Sequence, residues 1–344
     1  MRTMIPIQSS EDAYPYSVRD VHISDPCILA DEASGLYYTY AQFVDSQRFP
    51  GAAVDEPAIY CISSPDLVNW SVPKACFRKG GFWADLDYWA PEIHIYRGRY
   101  ILIATFRASG TYRRCQCLAS DRPDGPFEPI GEPLTPEGWQ CLDGTLYVDG
   151  KGQPWLVFAH EWLQVYDGQV CAVRLAEDLH CAIGEPEILF RASEGPWVGK
   201  AVRGGGNVTD GPFLYRMQSG RLILLWSSFA ENGAYITGYA WSRSGDIHGP
   251  WVQESQPLYG LDGGHSMLFR TFSGQLMMTL HCPNDHMKKR MMLFEMEEKG
   301  DRLQVINEVT GNWCTELGGN AVPWRFRAPI SGGVWFSSDP RKQA

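Results

Sequence analysis

One pattern that returns five times constrains this chain more than any other feature. Asp25-Pro-Cys-Ile-Leu leads through Gly35 to Leu-Tyr-Tyr-Thr-Tyr, and Pro91-Glu-Ile-His-Ile-Tyr leads through Gly98 to Arg-Tyr-Ile-Leu-Ile. Asp143-Gly-Thr-Leu-Tyr-Val leads through Gly152 to Gln-Pro-Trp-Leu-Val-Phe, and Asp210-Gly-Pro-Phe-Leu-Tyr leads through Gly220 to Arg-Leu-Ile-Leu-Leu. The fifth copy is Gly264-His-Ser-Met-Leu-Phe, then Gly274 and Gln-Leu-Met-Met-Thr. Each copy reads as a strand, a glycine turn and a second apolar strand. The copies start about 50 to 70 residues apart, the spacing of propeller blades rather than of helical repeats. Equivalent positions of successive blades lie around one axis. The first column reads Asp25, Pro91, Asp143, Asp210, Gly264, so three carboxylates are expected to face one place.

The repeats occupy about residues 20 to 280 of the 344, which favours a single β-propeller domain over the whole chain, with the first ~15 residues peripheral. Outer strands are expected after turns at Ser63–Trp70, Ala119–Phe127 and Trp241–Trp251, the last two ending in Gly-Pro-aromatic. The 13 Trp suit sheet packing and sugar stacking. A net charge of −10 argues against a nucleic-acid partner, which needs a basic face. No apolar run approaches a membrane span, so no membrane partner is expected. The start of the chain lacks the apolar core of a secretory signal, so a reducing cytoplasm is the simplest compartment. The ten scattered Cys are accordingly expected to be buried free thiols.

Three carboxylates at one axis cannot all ionise freely. Burial and like charge raise at least one of them, so an ionised carboxylate and a carboxylic acid coexist. That pair is what glycosidic bond cleavage uses: the acid protonates the departing oxygen while the ion activates water or attacks. Asp before Pro or Gly is also ordinary turn chemistry. Three such residues in register weigh against that reading.

Together, Asp25-Pro26, Trp89-Ala-Pro-Glu-Ile93, Asp143-Gly-Thr-Leu-Tyr-Val-Asp149 and Asp210-Gly-Pro-Phe-Leu-Tyr215 resemble glycoside hydrolase family 43 over roughly residues 20 to 290. The resemblance implies an all-β fold, a five-bladed β-propeller, and single-displacement hydrolysis with inversion. It implies Asp25 as general base, Asp143 as modulator of the acid, and Asp210 as general acid. The family usually carries Glu where this chain has Asp210. Asp sets the acid oxygen back by about 1.5 Å, so Glu161 and Glu194 stay open as alternative acids. Substrates implied are arabinofuranosyl, xylosyl or galactofuranosyl units of oligo- or polysaccharides. A catalytically impaired carbohydrate-binding propeller is the alternative.

The resemblance also implies a sugar-facing role for Trp89 and Glu92 and places His265 near a calcium or sodium ion on the axis, with no redox cofactor required. No spacing suggests catalytic zinc. Glu161, Trp162, Phe229 and His265 complete the expected substrate contacts, with Trp83 and Trp197 as further stacking candidates. The stretches Gly80–Trp89 and Gly195–Gly206 are expected to wall the pocket. His160 and Glu161 should point to opposite sides of a strand.

Overall fold

A computed structural model describes residues 13–42, 49, 57–199, 205–285 and 288–310. Five four-stranded antiparallel sheets follow one another along the chain, each made of strands that are neighbours in sequence. Blade I comprises Ile28–Asp31, Leu36–Ala41, Ala58–Ser64 and Lys74–Arg78. Blade II comprises Leu86–Tyr96, Arg99–Arg107, Arg114–Ser120 and Glu128–Pro129. Blade III comprises Cys141–Val148, Pro154–His160, Gln169–Leu175 and Ala182–Arg191. Blade IV comprises Asp210–Arg216, Leu222–Phe229, Tyr235–Ser242 and Trp251–Gln253, and blade V comprises Gly264–Arg270, Leu276–Cys282, Arg290–Lys299 and Arg302–Glu308. This is the five-bladed β-propeller that the repeat and the resemblance imply.

The amino acids explain the layering. Second strands such as Leu222–Phe229 and Leu276–Cys282 are buried along nearly their whole length, because a neighbouring blade covers each face. Strands covered on both faces read as continuous apolar runs rather than as alternations. Outer strands such as Ala182–Arg191 and Arg302–Glu308 are largely solvent-facing and correspondingly polar. The glycine between first and second strands has positive φ in every blade, from 69° at Gly35 to 87° at Gly220. These five glycines face open space, so the turn geometry and not crowding demands them.

The apolar clusters lie between blades. Trp226 is fully buried between blades III and IV, with Trp197 at 4.4 Å and Phe190 at 5.4 Å. The seam between the last and first blades has no exchanged strand among the described residues. It is held by Met291 N–H donating to Val21 O at 3.2 Å, by Phe272 N–H donating to the Tyr37 hydroxyl at 3.1 Å, and by the tilted ring contact of Tyr37 with Phe272 at 4.4 Å.

Three details differ from the sequence reading. Asn69–Trp70 is not the outer strand of blade I; it pairs with Tyr16–Ser17, which carries the entering chain across that blade. Lys74–Arg78 fills the outer place instead, because it follows directly on Pro73 and returns along Ala58–Cys61. Eight described Cys are free, seven of them buried, but Cys282 is disulfide-bonded, to a partner outside the described residues. Both Gly-Pro-aromatic restarts behave as expected, with Phe127 and Trp251 opening onto the outer strands. No helix among the described residues is long and apolar enough to cross a membrane.

Removing Trp226 should open a large void between two blades. Trp226→Ala is expected to cost about 3–5 kcal/mol, read as a lower midpoint in denaturant unfolding with circular dichroism.

Candidate active site

The head of each inner strand carries a residue in the left-handed region: Asp25 (φ 51°), Ala90 (45°), Asp143 (57°), Gly211 (52°) and His265 (57°), with Asp87 (53°) a second one in blade II. In blades II to V this residue sits in a bulge where the register slips against the second strand. Only a few per cent of non-glycine residues adopt this conformation, and bulges re-aim side chains near sites. Five repeats of it around one axis mark the hub.

The true column is therefore Asp25, Ala90, Asp143, Gly211, His265. Sequence alignment by letters set blades II, IV and V one residue out of step. The two-letter match Asp-Gly at 143–144 and 210–211 misled it. By backbone, Asp25-Pro26 corresponds to Ala90-Pro91 and to Gly211-Pro212. Asp210 thus stands one residue before the column, sharing its ladder position with Trp89, Leu142 and Gly264. It still belongs to the same cluster, because its charge is coupled to Asp143 and His265.

His265 Nδ1 lies 3.2 Å from Asp25 Oδ1 and 3.6 Å from Asp143 Oδ2, so one imidazole touches carboxylates from blades I and III. Glycine makes room for this ring: a Cβ on Gly211 would sit 2.8 Å from it. The Gly211 N–H donates to Asp143 Oδ2 at 2.9 Å. The Asp25 N–H donates to His281 Nδ1 at 3.1 Å, and His281 Nε2 faces Asn284 Oδ1 at 3.1 Å. With Nε2 as donor, Nδ1 of the neutral ring is the acceptor. Burial keeps His281 below the usual imidazole range, in that neutral form. Tyr235 stacks parallel on His281 and donates its hydroxyl to Asp210 Oδ2 at 3.1 Å. A Cβ on Gly264 would lie 2.4 Å from the Tyr235 ring, so that position has to be glycine.

These surroundings divide the carboxylates. Burial alone would raise Asp25, but the His265 imidazole beside it outweighs that and holds it well below the usual range. Asp143 is pushed well above its usual value by burial and then by Asp25, against the pull of the Gly211 N–H. Asp210 is raised to about 8 by burial and then by Asp143, opposed by His265 and the Tyr235 hydroxyl. Near neutral pH the hub therefore holds Asp25 as carboxylate and Asp210 as carboxylic acid. The Asp25 and Asp143 side chains keep 15% and 9% exposure, which lets solvent reach them.

Glu161 borders this group and raises both Asp143 and Asp210. Its own carboxyl is raised by burial and held by Arg113 at 2.9 Å. Arg113 also binds Asp87 at 2.9 Å and lies flat over Trp89, 4.2 Å from the ring centre. His160 ends its strand and stacks on Trp139 at 4.2 Å, whereas Glu161 lies beyond the strand as the N-cap of the short helix Trp162–Val165, so strand alternation does not relate the two. Glu92 binds the Thr145 hydroxyl and His94, and sits between blades II and III. Phe229 packs on Tyr235 at 5.1 Å, and Trp162 lies against Gly206 on the short helix Trp162–Val165.

Three expected residues lie elsewhere. Glu194 is exposed and caps its own turn by accepting from the Arg191 N–H, so it is no acid at the hub. Trp197 is packed into the core on Trp226, and Trp83 bonds Gln116 on the third strand of blade II. In the Gly195–Gly206 stretch, residues 200–204 lie outside the described residues. Sequence reasoning missed Tyr235, His281 and Arg113. A signal was present for His281: like Thr105 and Ser227, it is a polar break in an apolar second strand, opposite the head of the first.

The residues near His265 do not form a side-chain cage for a cation. Its Nδ1 already faces two carboxylates, and among the described residues no three His, Cys, Asp or Glu are grouped to hold a metal.

The raised Asp210 makes a stability prediction. Its folded value near 8 exceeds the unfolded value of 3.8, so stability is fully present below about pH 4 and is lost as pH rises through 8. Asp210→Asn cannot ionise. Between pH 5 and pH 9, parent protein is expected to lose at least about 1 kcal/mol more than the variant in urea unfolding.

The sequence model for glycosyl hydrolases family 43 matches residues 15–302. The endo-arabinase of Bacteroides thetaiotaomicron VPI-5482 superposes with a TM-score of 0.77 at 41% identity, covering 83% of this chain and 98% of that one. An endo-1,4-beta-xylanase from the same organism, at 21% identity and a TM-score of 0.69 over 85% of this chain and 97% of that one, shares the fold. Xylosidase/arabinosidase 43A of Humicola insolens is 32% identical over 87 residues, 24% of this chain and 26% of that protein. Extracellular endo-alpha-(1->5)-L-arabinanase 1 of Bacillus subtilis (strain 168) is 27% identical over 230 residues, 62% of this chain and 65% of its own length. On a family match spanning all five blades, and on the likeness to the endo-arabinase, the chain belongs to glycosyl hydrolases family 43.

Proposed function

We propose that this protein hydrolyses arabinofuranosyl linkages in arabinan-type oligo- or polysaccharides by a single displacement with inversion. The observation that carries the reading is the gathering of carboxylates at one hub: Asp25 and Asp143 meet across His265, and Asp210, bound by the Tyr235 hydroxyl, stands beside them in surroundings that favour the ion at Asp25 and the acid at Asp210. Asp25 takes a proton from water as that water attacks the anomeric carbon. Asp210 gives its proton to the departing glycosidic oxygen. Asp143 holds the Gly211 N–H and, by its proximity, keeps Asp210 protonated. Tyr235 orients the acid through its hydroxyl. Trp89, braced from one side by Arg113, and Phe229, braced by Tyr235, offer aromatic faces to the sugar. Glu161 is the less suitable acid because Arg113 occupies its carboxylate. No step passes through a metal.

The choice of arabinan rests on the 41% identical endo-arabinase, with the Bacillus arabinanase in support. Xylosyl and galactofuranosyl substrates belong in the same assay. Debranched arabinan, arabino-oligosaccharides, xylan and nitrophenyl glycosides should be compared, with the first product anomer read by proton NMR. Hydrolysis of arabinan with inverted product is expected. Asp25→Asn and Asp210→Asn should each lose at least about 10³-fold in kcat. Retained configuration, or full activity in Asp210→Asn, would overturn the assignment.

Asp143 gives a sharper test. Replacing it by Asn removes a charge that raises Asp210. The basic limb of kcat/KM, expected near pH 8 in the parent, should move to lower pH in Asp143→Asn.

A further inference from the structure

A cleft of about 670 Å³ lies on the flank of blades I and II, and no hub residue lines it. Its walls are the outer strand Lys74–Arg78 of blade I and the stretch from Glu128, in the outer strand of blade II, to Glu132. Phe82 and Trp83 stand between them, each half-buried. The Trp83 indole N–H donates to Gln116 Oε1 at 2.6 Å, and the Gln116 amide donates to Gly131 O at 2.8 Å. Gln116 is only 2% exposed, so a buried amide fixes the indole before any ligand arrives. Phe82 is wedged edge-on between Phe77 at 5.2 Å and Phe106 at 4.9 Å. The aromatic platform is therefore rigid, which lowers the ordering cost of binding.

The rim carries Arg78 and Lys79 against Glu128 and Glu132, two charges of each sign. Neither an anion nor a cation is favoured by that balance. The fixed Trp83 indole, with the Phe82 ring tilted 50° beside it and a polar, electrically balanced rim, fits a neutral unit with one apolar face and many hydroxyls.

We propose that this cleft is a second carbohydrate-binding site, holding a neutral sugar unit of the polysaccharide that is cut at the hub. The proposal rests on the polysaccharide reading above. The chain from Trp83 runs directly into Leu86–Tyr96, whose head carries Trp89 and Ala90 at the hub. A polymer held at Trp83 keeps its neighbouring segment close to the catalytic carboxylates, which raises its effective concentration there. A short substrate that reaches only the hub gains nothing from the cleft.

Gel electrophoresis through arabinan, xylan or galactan tests this with Asp25→Asn, which should bind without cutting. Adding Trp83→Ala is expected to weaken retention by roughly fivefold to tenfold, whereas Trp83→Phe keeps most of it. In otherwise intact enzyme, Trp83→Ala should raise KM for polymer by a similar factor and leave nitrophenyl glycoside hydrolysis unchanged, which also reports correct folding. Should the alanine variant not fold, Gly81→Leu serves instead. A Cβ at exposed Gly81 meets nothing within 4 Å, so the side chain blocks the cleft without touching the core. Retention and polymer KM that ignore the fold-competent variant would overturn the cleft and leave the hydrolase reading standing. Retention that depends on Trp83 in a protein that cuts none of the polymers would uphold the cleft and sink the hydrolase reading.

Discussion

A single imidazole joins the two ends of the ring to the carboxylate cluster at its hub. His265 of blade V reaches Asp25 of blade I and Asp143 of blade III, while His281 of blade V receives the Asp25 backbone N–H. The first and last blades share no strand among the described residues, so side chains and a few backbone bonds must hold that seam. Asp25 is thus both part of the closure and the proposed base. Loosening the seam would displace the base, and neutralising the base would weaken the seam.

The same geometry decides the protonation pattern. Five left-handed residues at the heads of the inner strands cost backbone strain and aim groups at one axis. Two imidazoles lie beside Asp25, and none is within ion-pair distance of Asp210. The carboxylates therefore separate into one lowered and two raised. Buried like charges oppose folding, and the apolar layers between blades, such as that around Trp226, supply the compensating burial. A hub that carries this electrostatic load needs a rigid ring around it.

The ring was legible in the sequence because its rules are local. A glycine turn between two apolar strands, five times over, leaves few alternatives to a propeller. The three aspartates were legible too, but not their register. Asp210-Gly211 copies the letters of Asp143-Gly144, while the backbone matches Gly211-Pro212 to Asp25-Pro26. Register within a bulge depends on φ, and letters do not record it. Tyr235, His281 and Arg113 were missed because their roles come from strands that meet the hub only after folding. Trp83 and Trp197 lie away from the hub, which the sequence does not reveal because half-buried and core tryptophans look alike in it. Glu161 sits just past the end of its strand, as a helix N-cap, and its pairing with Arg113 is a contact between blades that no local pattern records.

The central claim is that Asp25 and Asp210 sit on opposite sides of neutrality within one cluster. Carbon NMR of protein labelled at the aspartate carboxyls, assigned with Asp25→Asn, Asp143→Asn and Asp210→Asn, measures this directly. The account predicts that Asp25 stays ionised to well below the usual carboxylate range and that Asp210 titrates near pH 8. An Asp210 that titrates near pH 4, like an ordinary surface aspartate, would contradict it.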